Sequence, residues 1–91
     1  MPKVPVTVHH IGPACVQCNQ TKRELDRLGI EYTQVDLREH PELTEQFKQE
    51  GLLAAPIVVT DIKKWSGYRH EKIKSLAQYI HSLEAKDDHG V

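Results

Sequence analysis

The spacing of hydrophobic positions changes several times along the chain, and each change marks a predicted element. Val4, Val6 and Val8 alternate with Pro5, Thr7 and His9, a period of two that predicts a strand with one buried face. Pro13 then turns the chain. From Cys15 to about Leu28 the period is helical, with Cys18, Leu25 and Leu28 along one side and Lys22, Arg23, Asp26 and Arg27 on the wet side. Gly29 stops this helix. Tyr32 to about Leu37, rich in Tyr, Thr and Val, predicts a second strand. Pro41 suits the first position of a short helix that carries Leu43 and Phe47 and ends at Gly51. Ile57, Val58 and Val59 form a compact β-branched run after Pro56, and Lys64 to Ser66 returns from it in a hairpin around Asp61. Ile73, Leu76, Ala77, Ile80 and Leu83 lie on one stripe of a last amphipathic helix.

The order β-α-β-α-β-β-α predicts an α/β domain. Its βαβ unit supplies a parallel pair with a right-handed crossover, and the terminal hairpin adds antiparallel strands. A four-stranded mixed sheet flanked by three helices is the economical arrangement. A chain of 91 residues holds one small domain with a single core, expected over 1–84, with 85–91 as a flexible C-terminal tail.

The formal charge of -1 gives no basic excess for nucleic acid and no acidic excess for a solvating tail. No stretch approaches the roughly 20 apolar residues of a membrane helix. The N-terminus also lacks the apolar centre of a signal peptide, so a cytoplasmic, monomeric protein is expected.

Composition turns into chemistry at Cys15 and Cys18, the only cysteines, placed where a strand gives way to a helix. Thiols are kept reduced in the cytoplasm, so a Cys-x-x-Cys pair there points to catalysis or metal binding before a permanent staple. Two intervening residues at a helix start bring the sulfurs within bridging distance. Cys15 faces the unpaired backbone N–H groups and the positive end of the helix dipole, which favours thiolate. Cys18 lies one turn further in, on the side of Leu25. Cys15 is therefore the expected nucleophile and Cys18 the resolving thiol of a dithiol carrier. Such chemistry requires protein sulfur and no cofactor.

Three plainer readings compete. A structural disulfide closes too small a loop to constrain the unfolded chain much. A zinc site needs four ligands, and His9 and His10 point to opposite faces of a strand. Two inert buried thiols could also share this spacing by chance.

Three segments together resemble the thioredoxin superfamily, and within it the glutaredoxin-like NrdH-type redoxins. They are Ala-Cys-Val-Gln-Cys at Ala14 to Cys18, Ala-Pro and a β-branched run at Ala55 to Val59, and Trp-Ser-Gly-Tyr-Arg at Trp65 to Arg69. The likeness runs from about Val4 to Leu83. It implies a thioredoxin/glutaredoxin-like fold and a thiol–disulfide oxidoreductase reduced by thioredoxin reductase. The implied acceptor is a disulfide on the C-terminal tail of the large subunit of class Ib ribonucleotide reductase.

The resemblance also implies a cis Pro56 beside the cysteines, with Ala55 pairing to an extended substrate. Ala14, Val16, Gln17, Ser66, Gly67, Tyr68 and Arg69 are implied around the site. Trp65 falls within the third segment, although as a lone tryptophan on a strand it reads first as core.

Some positions depart from the family. Glutaredoxins proper carry a Gly-Gly pair and an acid for glutathione in the third segment, and this chain lacks the pair. The family's common lysine before the first cysteine is Gly12 here; His10, at a strand end, reads first as a solvated histidine and only second as a partial substitute. The usual Phe-Arg-Pro-Asp is Tyr68, Arg69, His70 and Glu71. The alternatives are a glutathione-dependent glutaredoxin and a non-catalytic adaptor or zinc-bound module.

Overall fold

The computed structural model describes residues 4–89. Strand β1 (Val6–His10) is followed by helix α1 (Val16–Arg27), strand β2 (Thr33–Asp36), a 3-10 turn (Leu37–Glu39) and helix α2 (Pro41–Gln49). Strands β3 (Ile57–Thr60) and β4 (Lys64–Ser66) and helix α3 (His70–His89) complete the chain. The sheet order is β2-β1-β3-β4, parallel between β1 and β2 and antiparallel elsewhere. This is the four-stranded mixed sheet expected from the element order, arranged as in the thioredoxin/glutaredoxin-like fold that the resemblance implies.

The register explains the layers. Val8 pairs with Val58 and Val58 with Trp65, so these three lie in one row on one face of the sheet. With Val6 they pack under Leu25 and Ile30 and under Ile73, Leu76 and Ala77 of α3. The other face carries Ile57, which packs with Leu37 and Phe47 beneath α2.

β1 therefore differs from its expectation in two ways. It starts at Val6, and it is covered on both sides, because His9 is also buried. A central strand of an α/β sheet has no solvent face for its polar positions to occupy.

His9 meets this by donating its Nδ1–H to the Ile57 carbonyl, 2.9 Å away, and by standing edge-on to Phe47 at 4.9 Å between ring centroids. Burial lowers the pKa of His9 below its ordinary 6.5, opposed by the Ile57 hydrogen bond and aided by His40. Between that lowered value and 6.5 the unfolded chain binds more protons than the folded one. The stability tied to neutral His9 is thus present above about pH 6.5 and lost as the pH falls through the lowered value. We expect the thermal midpoint to drop on going from pH 7.5 to 5.5, and to drop less in His9→Gln, which keeps a donor but cannot be charged. Equal drops in the two proteins would remove His9 as the cause.

Local signals account for the element ends. Gly29 closes α1 with its N–H on the Asp26 carbonyl, and Ile30 N–H reaches the Leu25 carbonyl at 2.9 Å. The hairpin after β3 has no glycine and is organised by Thr60. Its hydroxyl accepts from the Ile62 and Lys63 N–H groups and donates to the Lys63 carbonyl. The second strand ends at Asp36, one residue short of the expected Leu37, because Leu37 enters the 3-10 turn.

Helix α3 begins at His70 without the family's proline, with the Lys72 and Ile73 N–H groups on the Arg69 carbonyl. It is assigned to His89 and so takes in residues 85–89 of the expected tail; residues 90 and 91 lie outside the described residues. Among the described residues no helix is long and apolar enough to cross a membrane.

Candidate functional site

One end of the sheet collects the three motif segments, and the strand directions require it. His9 near the end of β1 pairs with Ile57 at the start of β3, and Ile57 pairs with Ser66 at the end of β4. The loop leaving β1, the loop entering β3 and the loop leaving β4 therefore share that end. Hydrogen bonds tie them together. Gly67 N–H donates to the Pro56 carbonyl at 2.8 Å and lies 3.2 Å from the Ala54 carbonyl. Tyr68 N–H donates to Gln17 Oε1 at 3.0 Å. Gly67 has φ +81°, and a Cβ there would stand 3.3 Å from the same Gln17 oxygen, so glycine suits both the backbone and the close approach.

Gln17 is thus the link between α1 and the loop after β4. Gln17→Ala deletes a bond of about 1 kcal/mol and frees the Tyr68 N–H. We expect a fall of a few degrees in the thermal midpoint, with a larger loss in turnover than in folding. Unchanged turnover would show that the link does not set the site's geometry.

Cys15 is the N-cap of α1 and Cys18 lies in its first turn, joined by a disulfide with the Cα atoms 5.2 Å apart. Cys15 is half-buried and Cys18 has no exposed surface. The Cys15 sulfur accepts the Cys18 backbone N–H at 3.2 Å, one of the donors that a helix start leaves unpaired. No acidic residue lies in the first turn of α1 to oppose a negative sulfur. Cys15 N–H in turn donates to the Gly12 carbonyl.

The other expected residues divide by exposure. Ala14, Val16, Gln17 and Arg69 are exposed around the disulfide's end of the molecule, and Ala55, Ser66 and Tyr68 are half-buried. The Ala55–Pro56 bond is cis, as the resemblance implies, and Pro56 is buried. Trp65 requires a correction. It is 3% exposed and packed in the core under α1 and α3, so it presents no surface to a partner. Its place opposite Val58 turns the ring inward, which is its first reading as a lone strand tryptophan.

Arg38 is a neighbour that the sequence did not single out. β2 runs parallel to β1, with His10 beside Asp36, so the residues just after β2 arrive next to the loop after β1. Gly12 has φ +106°, and a Cβ built on it would lie 2.8 Å from the Arg38 guanidinium carbon. Arginine therefore occupies the space that a side chain at position 12 would enter. Asp36 holds the guanidinium through both carboxylate oxygens, at 2.7 to 3.2 Å. That pairing pushes the Asp36 carboxyl down to about 2. His10, whose plainer reading is a solvated strand-end histidine and whose alternative is a partial substitute for the missing lysine, accepts the Gly12 N–H through Nδ1 at 3.0 Å. The parallel βαβ topology was the available signal for Arg38.

Among the described residues, no three or more His, Cys, Asp or Glu side chains are grouped to hold a metal ion. The arrangement is that of a half-exposed sulfur bonded to a buried one at a helix start, suited to thiol–disulfide exchange.

Comparison with known proteins agrees with this geometry. The glutaredoxin family model matches residues 4–65. The chain is 31% identical to the glutaredoxin-like protein NrdH of Escherichia coli (strain K12) over 71 residues, 78% of this chain and 88% of that protein. It is 32% identical to glutaredoxin-like protein NrdH of Lactococcus lactis subsp. cremoris (strain MG1363) over 63 residues, 69% of this chain and 88% of that protein. Among solved structures it is similar to the Escherichia coli NrdH-redoxin, a glutaredoxin-like protein described as having a thioredoxin-like activity profile. There the TM-score is 0.74 at 29% identity, over 79% of this chain and 93% of that one. Fold, cysteine pair and relatives together place the chain in the glutaredoxin family, as an NrdH-type, glutaredoxin-like thiol–disulfide oxidoreductase.

Proposed function

We propose that this protein is a cytoplasmic, monomeric electron carrier that is reduced by thioredoxin reductase and reduces class Ib ribonucleotide reductase, sustaining deoxyribonucleotide synthesis. The observation that carries the reading is the commitment of the segment after β4. Its Gly67 and Tyr68 N–H groups are bonded to Pro56 and Gln17, and residue 12 has no side chain to offer. These groups are not left to grip a small glutathione molecule, which favours an extended protein segment as the oxidised partner.

In this reading Cys15 attacks the partner's disulfide and forms a mixed disulfide, releasing the partner's first thiolate. Cys18 then loses its proton and attacks the Cys15 sulfur. The partner leaves as a dithiol, and the Cys15–Cys18 disulfide carries the two-electron oxidation. Ala55 offers its backbone to the partner segment, while Ala14, Val16, Gln17, Ser66, Gly67, Tyr68 and Arg69 form the groove. The partner segment is the C-terminal tail of the reductase's large subunit, which must be long enough to enter that groove.

A glutathione-dependent activity is the second reading, and Arg38 favours it, since the guanidinium beside Gly12 restores a cationic group where the family's lysine stands.

NADPH consumption with a protein disulfide acceptor separates the two. Turnover with thioredoxin reductase and little with glutathione plus glutathione reductase is the expected result, with Cys15→Ser as blank. The reverse preference would make the protein a glutaredoxin in function. Activity with neither donor would remove both readings.

A further inference from the structure

Thr21 is fully buried, three residues after Cys18 on α1, and its hydroxyl has no hydrogen-bond partner. A threonine inside a helix commonly returns its hydroxyl to a carbonyl three or four residues back. Here that bond is not made. Residues three apart on a helix are neighbours, and the buried residues of α1 are Cys18, Thr21 and Leu25. Of the other two, only Cys18 offers a side-chain atom able to hydrogen-bond. With the disulfide closed, that sulfur is a poor acceptor. With the disulfide open it becomes a thiol or thiolate at a position without solvent, where burial penalises the charge.

We infer that the Thr21 hydroxyl donates a hydrogen bond to the Cys18 sulfur once the disulfide opens, making Thr21 a catalytic residue of the exchange. When a donor thiolate attacks the Cys15 sulfur, a new sulfur–sulfur bond forms and the Cys15–Cys18 bond breaks. The electron pair goes to Cys18, which then takes the proton given up by the donor's second thiol as that thiol turns to attack Cys15. Thr21 stabilises the charge on Cys18 as it departs. The same contact serves the reverse step, in which Cys18 loses its proton and expels the thiolate bound to Cys15. A hydroxyl without a partner in the oxidised protein thereby acquires one in the reduced protein, and the difference favours reduction.

The inference rests on Cys18 as the sulfur that leaves and resolves. Its test is an equilibrium measurement, independent of which sulfur is attacked first. The full chain is equilibrated with graded ratios of reduced and oxidised dithiothreitol, and its thiols are counted in wild type, Thr21→Val and Thr21→Ser. Thermal midpoints of the oxidised proteins are measured alongside.

Thr21→Val keeps the shape and removes the hydroxyl. It is expected to shift the equilibrium roughly ten-fold toward the disulfide, as loss of a hydrogen bond to a charged or polarisable sulfur implies. Its oxidised midpoint should not fall, because the hydroxyl has no partner there to lose. Thr21→Ser should stay near wild type. An unchanged equilibrium in Thr21→Val overturns the inference, and a lowered oxidised midpoint beside it would make Thr21 a packing residue. If Thr21→Val does not fold, Thr21→Ser and Thr21→Ala differ by the hydroxyl alone, and equal equilibria in those two also overturn it.

Discussion

Cys15→Ser is expected to lower disulfide-reducing turnover by about 10³-fold or more, because it removes the sulfur that makes the first bond to the partner. Cys18→Ser should abolish turnover as well, but by a different route. It leaves the first exchange intact and removes the second, so the protein accumulates as a covalent adduct with its acceptor. The two variants are separable by mass under non-reducing conditions: an adduct with Cys18→Ser and none with Cys15→Ser.

The asymmetry comes from exposure and from the helix start. Cys15 is reachable and its sulfur already accepts a backbone N–H, whereas Cys18 has no surface for a partner to approach. A thiolate at Cys15 gains from that N–H and from the helix dipole. An adduct that formed on Cys18 alone would reverse the assignment. Adducts on neither would make the disulfide structural, against a chain entropy argument that gives so short a loop little to stabilise.

Much of this site was legible before the fold, because its residues lie at element ends that local signals mark. Pro13 and the onset of helical spacing put Cys15 at a helix start, and Pro56 before a β-branched run put it at a strand start. The hairpin strand Lys64–Ser66 was read with its observed bounds, although its turn lacks glycine, because β3 and β4 are short and closely spaced.

What stayed hidden depends on pairing across the sheet. His9 looked like a solvent position on an alternating strand until β1 was placed between β2 and β3 with α2 above it. Arg38 lies far from Gly12 in sequence and reaches it only because β2 ends beside β1. Thr21 is a polar break in the apolar stripe of α1, yet it is as buried as Leu25. In each case a partner element decides what the polar residue meets, and local periodicity carries no information about which element that is.

Trp65→Ala is expected to have the largest effect on stability of any single change considered. The ring packs in the main core between sheet and helices, and large-to-small changes of this kind cost about 3–5 kcal/mol. That is a large share of the roughly 5–15 kcal/mol that holds a small domain folded. The thermal midpoint should therefore fall by more than about 10 °C.

Trp65→Phe should do far less. It gives up some packing but also discards the indole N–H, a buried donor with no hydrogen-bond partner, and an unpaired group of that sort costs about 1–3 kcal/mol. The pair of variants separates the two parts that a lone tryptophan in this segment could play. A partner contact would leave the melting temperature of Trp65→Ala near wild type and raise the KM for the acceptor. A core residue would lower the melting temperature and leave KM little changed at temperatures where the variant is folded. At 3% exposure the second outcome is expected. The residue then acts on the site indirectly, by holding β4 in register so that Gly67 can meet Pro56 and Tyr68 can meet Gln17.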